Sequence, residues 1–287
     1  MSAAVECEGA PRDLGFDQGA ACADALRAMR AAQRLRERTA RGSAAALARD
    51  LRRHFPRQAE VLAGLSVAAG VPRAWLERML ARELADAEPG TAGGWALAVD
   101  AALAAGSGLV ARSLAGERIV RRRRPEGGFR SIEVTRPWLG TALAGVNERG
   151  LAALALEAPD AAPGDCAAPG ALLIQDCLER FESLDAALEW CTGRPGGCAA
   201  TLLLADAAGE VAGVEIAGAT RRVLRPAEGL LLAGGEASHA GDRAKRLREA
   251  APLGAELLAE RLFHECEVVV LDARARCLRL GGAEFSA

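Results

Sequence analysis

About a third of the way along the chain, two glycines lead into an unbroken apolar run, Ala92-Gly-Gly-Trp-Ala-Leu-Ala-Val99. A short apolar run bounded by turn residues is typical of a buried β-strand. Before this run, apolar residues recur every three or four positions, and after it they form short runs separated by turns. The run therefore marks the point where a helical first third gives way to strands, and it predicts an α+β protein.

The first third of the chain shows helical periodicity, with prolines and glycines at the helix ends. Pro56 ends one helix, Gly70 closes the next, and Pro89-Gly90 stops the last. The predicted helices span 17–39, 44–55, 56–69 and 72 to about 84. We predict that residues 1–90 form a helical N-terminal region packed on a core of residues 91–287, as one compact unit.

The remaining two thirds are predicted to be rich in strands. Strands are expected at 95–99, 108–114, 117–122, 129–135, 142–146, 151–157, 200–206, 211–217, 221–224, 230–233, 267–272 and 277–280. Helices are expected at 169–181, 184–191 and 243–261, and the last of them is interrupted near Pro252-Leu-Gly254. Helices do not alternate regularly with these strands, so the pattern disfavours a doubly wound parallel sheet. It indicates an α+β layered body instead.

The composition is that of an ordinary globular protein. Of the 287 residues, 51% are hydrophobic and 26% are charged, and the formal net charge is -2. This balance gives no electrostatic reason to expect nucleic acid or an anionic membrane as a partner. Neither an N-terminal signal pattern nor an apolar run of about 18 residues occurs, so we expect no export and no membrane span.

Cysteines and histidines are dispersed along the chain. The eight cysteines include no CxxC pair, and the three histidines lie far apart in sequence. We therefore predict no metal site and no cofactor. Free thiols are typical of a reducing compartment, so we expect a cytoplasmic protein. The abundance of alanine, glycine and arginine indicates a GC-rich genome.

Several segments, in order along the chain, are similar to motifs of one protein family. The closest is Gly145-Val-Asn-Glu-Arg-Gly-Leu151, which is similar to a turn written GMNExGL. The others begin at Leu14 (LGFDQG), Leu62 (LAGLSVAAGVP), Ser183 (SLDAAL), Leu202 (LLLADAAGEV) and Val268 (VVVLDA). Through this order and spacing the chain resembles the acyl-coenzyme A:6-aminopenicillanic acid acyltransferase-like proteins (isopenicillin-N acyltransferase and carcinine hydrolase-like), a branch of the N-terminal nucleophile (Ntn) hydrolases.

The resemblance implies a four-layer αββα sandwich and an acyl-transferring activity. Members of the family cut their own chain before a cysteine, and its thiolate attacks an acyl group while the freed α-amino group acts as base. An α-amino group titrates near about 8, so it can accept a proton at neutral pH. The implied reaction is amide hydrolysis, or acyl transfer when an amine replaces water. With the GC-rich composition, the resemblance also suggests bacterial secondary metabolism.

Three positions depart from the family's motifs. The cysteine would lie at Gly94 or Trp95, and neither residue can act as a nucleophile. The motif GRNLD becomes Ala111-Arg-Ser-Leu-Ala115, which keeps Arg112 but lacks the asparagine and the aspartate. The motif TNH becomes Ala233-Gly-Gly-Glu236. Together these departures argue against self-cleavage and against cysteine catalysis of the family type.

Two other residues could replace the missing nucleophile. Thr91 lies just ahead of the strand, and threonine can serve as an N-terminal nucleophile. The simpler interpretation of Thr91 is a loop residue after a helix end. Cys198 opens an apolar strand after two glycines, but cleavage there would divide the sheet. A buried structural thiol is therefore the simpler interpretation of Cys198.

Three polar residues are candidates for binding a substrate or an oxyanion. Asn147 could donate its amide to an oxyanion, or it could simply form a hairpin turn with Gly150. Arg112 could bind a substrate carboxylate through two hydrogen bonds, or it could be exposed or structurally paired. Glu236 stands at the end of the strand that carries TNH in the family.

The arginines at 121–124 lie next to a turn, and we interpret this run as the solvated end of a hairpin. The alternative is a contact with an acidic partner, such as a carrier protein or a phosphate of coenzyme A.

Two hypotheses about function follow. In the first, the chain is a degenerate Ntn-type protein without its nucleophile. It binds a small acylated or amide-containing molecule, such as acyl-coenzyme A, or a partner protein. It acts as a single chain or as a homo-oligomer. In the second, an active acyltransferase or amide hydrolase uses re-sited residues. A third interpretation, an unrelated α+β protein, would be established by a structure that lacks two stacked sheets.

Overall fold

A computed structural model describes residues 4–33, 41–85, 94–114, 116–157, 170–194, 200–234, 237–262 and 267–287. The helices are α1 (Pro11–Ala21), α2 (Ala23–Gln33), α3 (Arg41–His54), α4 (Pro56–Ala69), α5 (Arg73–Ala85), α6 (Gly170–Arg180), α7 (Leu184–Gly193), α8 (Ala237–Glu249) and α9 (Ala255–Leu262). The strands are β1 (Val5–Gly9), β2 (Trp95–Val99), β3 (Leu109–Leu114), β4 (Ile119–Pro125), β5 (Ser131–Thr135), β6 (Ala144–Asn147), β7 (Ala152–Glu157), β8 (Ala200–Ala205), β9 (Val211–Ala217), β10 (Thr220–Leu224), β11 (Leu230–Gly234), β12 (Glu267–Asp272), β13 (Cys277–Leu280) and β14 (Ala283–Ser286).

The described strands form two sheets. The larger sheet has the order β1-β4-β5-β6-β7-β8-β9-β10, and the smaller sheet has the order β11-β2-β3-β12-β13-β14. Strand β1 is parallel to β4, while the central strands of both sheets pair antiparallel. A doubly wound parallel sheet is therefore excluded, as the sequence predicts.

The two sheets lie between two layers of helices. Val110 and Val269 of the smaller sheet pack against Val146 and Leu154 of the larger sheet, and they form the core between the sheets. The outer face of the larger sheet is covered by helices, with Leu202 and Val214 packed in one cluster with Leu62, Leu173 and Leu188. On the outer face of the smaller sheet, Leu97 and Val268 share a cluster with Leu247 and Leu258 of α8 and α9. The four-layer αββα architecture and the helical N-terminal third are confirmed.

Helices α1 and α4 cross with their backbones in contact. A Cβ atom added to Gly15 would lie 1.9 Å from the carbonyl oxygen of Val61, and a Cβ atom added to Gly64 would lie 1.9 Å from that of Arg12. Side-chain carbon atoms do not approach oxygen so closely in packed interiors. The two helices can therefore cross at this distance only because both positions are glycine.

The arginine run lies in β4 and alternates between two faces of the larger sheet. Arg121 and Arg123 are each only 1% exposed, and they form ion pairs with Glu133 at 2.7 Å and with Glu179 at 2.8 Å. The interpretation of the run as a solvated hairpin end is wrong for these two residues. Alternation along a strand explains the difference, because neighbouring side chains point to opposite faces.

The other two arginines of the run point to the exposed face. Arg122 pairs with Glu6 at 3.0 Å and Arg124 with Glu8 at 3.7 Å, both on the adjacent strand β1. Each arginine of the run therefore has a carboxylate partner within the chain. A carrier protein or a coenzyme A phosphate as partner of this run stays a prediction.

The boundaries of several elements differ from those predicted. The first predicted helix is divided into α1 and α2, and its last residues lie outside the described ranges. The last predicted helix is interrupted around Pro252 as predicted, but its first part, α8, begins at Ala237 rather than at residue 243. Strand β14 was not predicted from the sequence. The proposed boundary near residue 90 lies outside the described ranges, so the two-region division stays a prediction.

Among the described residues, no helix combines the length and the apolar character that crossing a membrane would require. The cytoplasmic location stays a prediction.

Candidate functional site

The head of strand β2 is where the family resemblance places a nucleophile. Trp95 does not face the space between the sheets, since it packs with Leu97 and Leu247 under the outer helices. The guanidinium carbon of Arg243, on α8, lies 5.0 Å from the centre of the Trp95 ring. This distance is within the range of a cation–π interaction. Trp95 is therefore a packing residue of the smaller sheet's outer face.

Gly94 is exposed, so the head of the strand is open to solvent. A Cβ atom added at Gly94 would lie 3.1 Å from Ser113 Oγ and 3.2 Å from Leu156 Cδ1. Leu156 comes from β7 of the larger sheet and also approaches Gly234, where an added Cβ atom would lie 2.5 Å from Leu156 Cδ2. The position that would carry the nucleophile is thus lined by a hydroxyl group and a leucine methyl group.

Ser113 stands where the family motif has its asparagine. Its hydroxyl accepts a hydrogen bond of 2.9 Å from the backbone N–H of Trp95, and it donates one of 3.3 Å to the carbonyl oxygen of the same residue. The hydroxyl therefore closes the end of the β2–β3 pair. Its own proton is engaged with the backbone, so nothing in this geometry activates it as a nucleophile.

Arg112 lies one residue earlier in β3, opposite Ala96 of β2 and Val269 of β12. Both partners belong to the core between the sheets, so Arg112 is on the inner face. Its Nη1 donates a hydrogen bond to the carbonyl oxygen of Ala155 in the larger sheet, and its Nε donates one of 3.3 Å to Ser113 O. The guanidinium group therefore joins the two sheets close to the head of β2.

Further charged groups lie at the same end of the sandwich. Glu267 begins β12 opposite Leu114, the last residue of β3, and it forms an ion pair with Arg118. Burial lowers the pKa of Arg118, and the positive charge of Arg136 lowers it further. Arg112, Arg118 and Arg243 thus lie at this end of the smaller sheet, where they already contact the Ala155 carbonyl, Glu267 and the Trp95 ring respectively. Guanidinium groups favour carboxylate and phosphate ligands because they donate several hydrogen bonds in one plane.

Asn147 lies at the opposite end of the sandwich. The backbone N–H of Leu151, at the start of β7, donates to its Oδ1 at 2.9 Å, whereas Leu156, near Gly94, is at the end of the same strand. Five residues of extended chain span roughly 16 Å. Asn147 Nδ2 donates to the carbonyl oxygens of Leu178 and Phe181 at 3.0 and 2.8 Å. An oxyanion role for Asn147 would require one of these hydrogen bonds to break.

Three of the predicted site residues cannot be placed. Thr91, Cys198 and Glu236 lie outside the described ranges. Within the described ranges, no group of three or more histidine, cysteine, aspartate or glutamate residues could hold a metal ion.

Sequence reasoning did not single out Leu156 or Ser113. Their importance comes from the pairing of β2 with β3 and from the stacking of the two sheets. Ser113 had a signal in the sequence, because it replaces the asparagine of the family motif. Leu156 had none, since a leucine in an apolar strand reads as ordinary core.

Away from this end, one buried carboxyl group has a raised pKa. Asp176 on α6 is 9% exposed. Burial and then the charge of Glu179 raise its pKa from 3.8 to about 6, while Arg180 and Arg194 act in the opposite direction. Between these two pH values this carboxyl group is more protonated in the folded chain than in the unfolded chain, so its contribution to stability falls as the pH rises through that interval.

We expect the substitution Asp176→Asn to remove this pH dependence. The variant should be more stable than the native chain at pH 8, by roughly 1–3 kcal/mol, and similar to it at pH 4. Urea unfolding at several pH values measures both. The control is Glu189→Gln at an exposed position of α7, which should leave the profile unchanged. Parallel profiles for the native chain and Asp176→Asn would contradict the prediction.

Comparisons with known proteins find similarity only at the level of structure. A search of the sequence against protein families finds no match, and neither does a search of curated proteins. Solved structures similar to this chain include a penicillin V acylase from Agrobacterium tumefaciens, with 14% identity, 65% of this chain and 82% of that chain covered, and a TM-score of 0.46. An N-acylethanolamine-hydrolyzing acid amidase ortholog from Caenorhabditis elegans shows 11% identity, coverages of 63% and 93%, and a TM-score of 0.49.

A mutant of the conjugated bile acid hydrolase from Clostridium perfringens shows 15% identity, coverages of 53% and 57%, and a TM-score of 0.38. By their names, these three neighbours are an acylase, an amidase and a hydrolase of conjugated bile acids. All three TM-scores are below 0.5, so these similarities assign no activity to this chain and no role to any of its residues. The narrower acyltransferase-like subfamily stays a prediction.

Proposed function

We propose that this chain is an Ntn-type protein that binds a small acylated or amide-containing molecule without cleaving it through an N-terminal nucleophile. The observation that carries the proposal is the chemistry at the head of β2. Gly94 has no side chain, and the hydroxyl of Ser113 beside it is hydrogen-bonded in both directions to the backbone of Trp95. A group that is needed to attack an acyl carbon is missing where the family resemblance requires it.

Binding is supported by the positive groups around the same end. Arg112 on the inner face, Arg118 after β3 and Arg243 on α8 place guanidinium groups around an exposed strand head. An acyl compound that carries a carboxylate or phosphate would gain charge-assisted hydrogen bonds there. Acyl-coenzyme A is the probe that combines an acyl group with phosphates.

The direct test uses the intact chain. Purified protein is incubated with acyl-coenzyme A and with an N-acyl amide, and its mass and melting temperature are measured. We expect a single uncut chain, no acyl adduct, and a melting temperature that rises with acyl-coenzyme A concentration. A pair of fragments divided near residue 94, or an acyl group on any side chain, would overturn the non-cleaving role. An unchanged melting temperature with both compounds would overturn the binding role.

A stricter test places a cysteine thiol at Gly94 and changes no other residue. We expect Gly94→Cys to give an exposed thiol that alkylates readily but is not activated toward acyl groups, because Ser113 and Leu156, the described residues that line this position, provide no base for it. The matched control is Gly193→Cys, since Gly193 is exposed and a Cβ atom there meets nothing within 4 Å. The ratio of acylation rate to alkylation rate should agree at the two sites to within about three-fold.

Peptide mapping distinguishes the introduced thiol from the native cysteines. If the thiol of Gly94→Cys is acylated more than about ten-fold faster than that of the control at equal alkylation rate, catalytic machinery has survived and the proposal is wrong. The alternative function, an active acyltransferase or amide hydrolase that uses Thr91 or Cys198, predicts an acyl adduct on one of those residues. The intact-mass experiment detects that adduct in the native chain.

A further inference from the structure

Two cysteine thiols meet in the helical layer that covers the larger sheet. Cys177 on α6 and Cys191 on α7 have their Sγ atoms 3.4 Å apart, and the residues lie 14 positions apart in sequence. Both side chains are completely buried. The other cysteines within the described ranges, Cys7, Cys22 and Cys277, are buried but have no such sulfur–sulfur contact. The contact is thus specific to these two helices.

The distance between the sulfurs is close to that needed for a covalent bond. A disulfide requires a sulfur–sulfur distance of about 2.05 Å, so the atoms must approach by about 1.4 Å. Rotation about the two side-chain torsions moves sulfur atoms over such a distance without moving a helix. A short connection joins α6, which ends at Arg180, to α7, which begins at Leu184. The backbones of the two helices are therefore already held close together.

We propose that Cys177 and Cys191 form a redox-responsive pair that closes into a disulfide and fastens α7 to α6. The oxidant is a small disulfide such as oxidised glutathione. One cysteine thiolate attacks a sulfur of the oxidant and expels a glutathione thiolate. The second cysteine thiolate then attacks the mixed disulfide and expels the other. The protein loses two protons and two electrons, and two molecules of reduced glutathione form.

Burial determines when this reaction occurs. The hydrogen bond with Cys191 and then burial raise the pKa of the Cys177 thiol well above its ordinary value, so little thiolate is present in the folded chain. Both sulfurs are also shielded from solvent. The disulfide therefore forms rapidly when the chain folds in the presence of oxidant and slowly in the folded protein, which must first open locally.

A disulfide here would act on the helical layer as a whole. Helix α6 supplies Gln175 and Glu179 to the buried charge network. The carbonyl oxygens of Leu178 in α6 and of Phe181, just after it, accept hydrogen bonds from Asn147. Fixing α7 to α6 restricts the unfolded chain and stabilises this arrangement. The reduced chain, expected in a reducing compartment, keeps both thiols free.

The test refolds the full chain in a glutathione buffer, blocks free thiols with a maleimide under denaturing conditions, and maps the peptides. We expect a Cys177–Cys191 linkage, with Cys7, Cys22 and Cys277 alkylated. The oxidised protein should melt roughly 5 °C higher than the reduced protein. Alkylation of both Cys177 and Cys191 after oxidative refolding, or a disulfide from either one to a different cysteine, would overturn the proposal.

Variants separate the pair from a general effect of oxidant. Cys177→Ala and Cys191→Ala should each abolish the difference in melting temperature between oxidised and reduced protein. Cys277→Ala should retain it, because this buried cysteine is outside the pair. An oxidant-dependent shift that persists in both helix variants would contradict the assignment, and the peptide map of the native chain decides the question if the variants do not fold.

Discussion

Replacing Gly15 with alanine is expected to prevent α1 from packing on α4. The added Cβ atom would lie 1.9 Å from the carbonyl oxygen of Val61, and ordinary carbon–oxygen contacts are more than about 1 Å longer. The obstacle is backbone rather than a flexible side chain, so the helices themselves must separate. We expect a loss of about 3–5 kcal/mol in the free energy of unfolding, or a chain that does not fold. Urea unfolding followed by circular dichroism measures the loss.

The matched control for this prediction is Gly193→Ala. Gly193 ends α7, and a Cβ atom there meets nothing within 4 Å. Alanine has the higher helix propensity, so the substitution should leave stability unchanged or raise it by up to about 1 kcal/mol. If Gly15→Ala lowers the free energy of unfolding no more than Gly193→Ala does, the result would contradict the close crossing of α1 and α4.

Much of the fold is predictable from the sequence because hydrophobic period and turn chemistry agree. Helix α4 has the predicted bounds, since Pro56 begins it and Gly70 ends it in a left-handed conformation. Strand β2 also has the predicted bounds, because a five-residue apolar run preceded by glycine is too short for a helix and fits a buried strand. Strand β14 escaped prediction because it has only four residues, and its alternation of half-buried Ala283 and Phe285 with exposed residues is too short to identify a strand.

The charged interior was not predictable for a related reason. Four consecutive arginines show no alternation of polar and apolar residues, although the strand that carries them has one buried face. Only the pairing of β4 with β5 shows that Arg121 lies opposite Glu133. Charged residues are almost never buried unless they are paired. To predict that these arginines are buried, one would need to know their partners in other elements. A single sequence does not contain it.

The candidate site shows the same division between local and long-range information. The absence of a nucleophile at Gly94 can be read directly from the sequence. The surroundings of that position cannot, since Ser113 arrives from β3 and Leu156 from the other sheet. Motif similarity placed Arg112 and Asn147 in one candidate set. The structure separates them to opposite ends of β7, because residues at the two ends of a strand cannot share a site.

The buried charge network supplies the second large expected effect. Glu133 is completely buried and contacts Arg121 at 2.7 Å, and Gln175 and Ser131 donate hydrogen bonds to its Oε1 at 3.0 and 2.6 Å. The substitution Glu133→Gln keeps the size of the side chain but leaves the guanidinium of Arg121 without its closest carboxylate. Removing one partner of a buried pair costs about 3–5 kcal/mol, and we expect a loss of that size in chemical unfolding.

The exposed pair beside it provides the control. The ion pair between Glu6 of β1 and Arg122 of β4 lies on the exposed face of the larger sheet, and both side chains are substantially exposed. The substitution Glu6→Gln should therefore change stability by less than about 1 kcal/mol. The double variant Arg121→Met/Glu133→Gln should recover more than half of the loss caused by Glu133→Gln, because it buries no unpaired charge. Equal losses in the single and double variants would contradict this account.

The pH dependence gives an independent measure of the same pair. Burial alone would raise the pKa of Glu133, but the charges of Arg121 and Arg123, with hydrogen bonds from Ser131 and Gln175, leave it below its ordinary value of 4.5. The unfolded chain therefore takes up the proton first, so the stability from this carboxylate is present above pH 4.5 and is lost as the pH falls through the folded pKa. The native chain should lose stability more steeply than Glu133→Gln in acid. Identical acid unfolding curves would mean that Arg121 does not depend on the charge of Glu133.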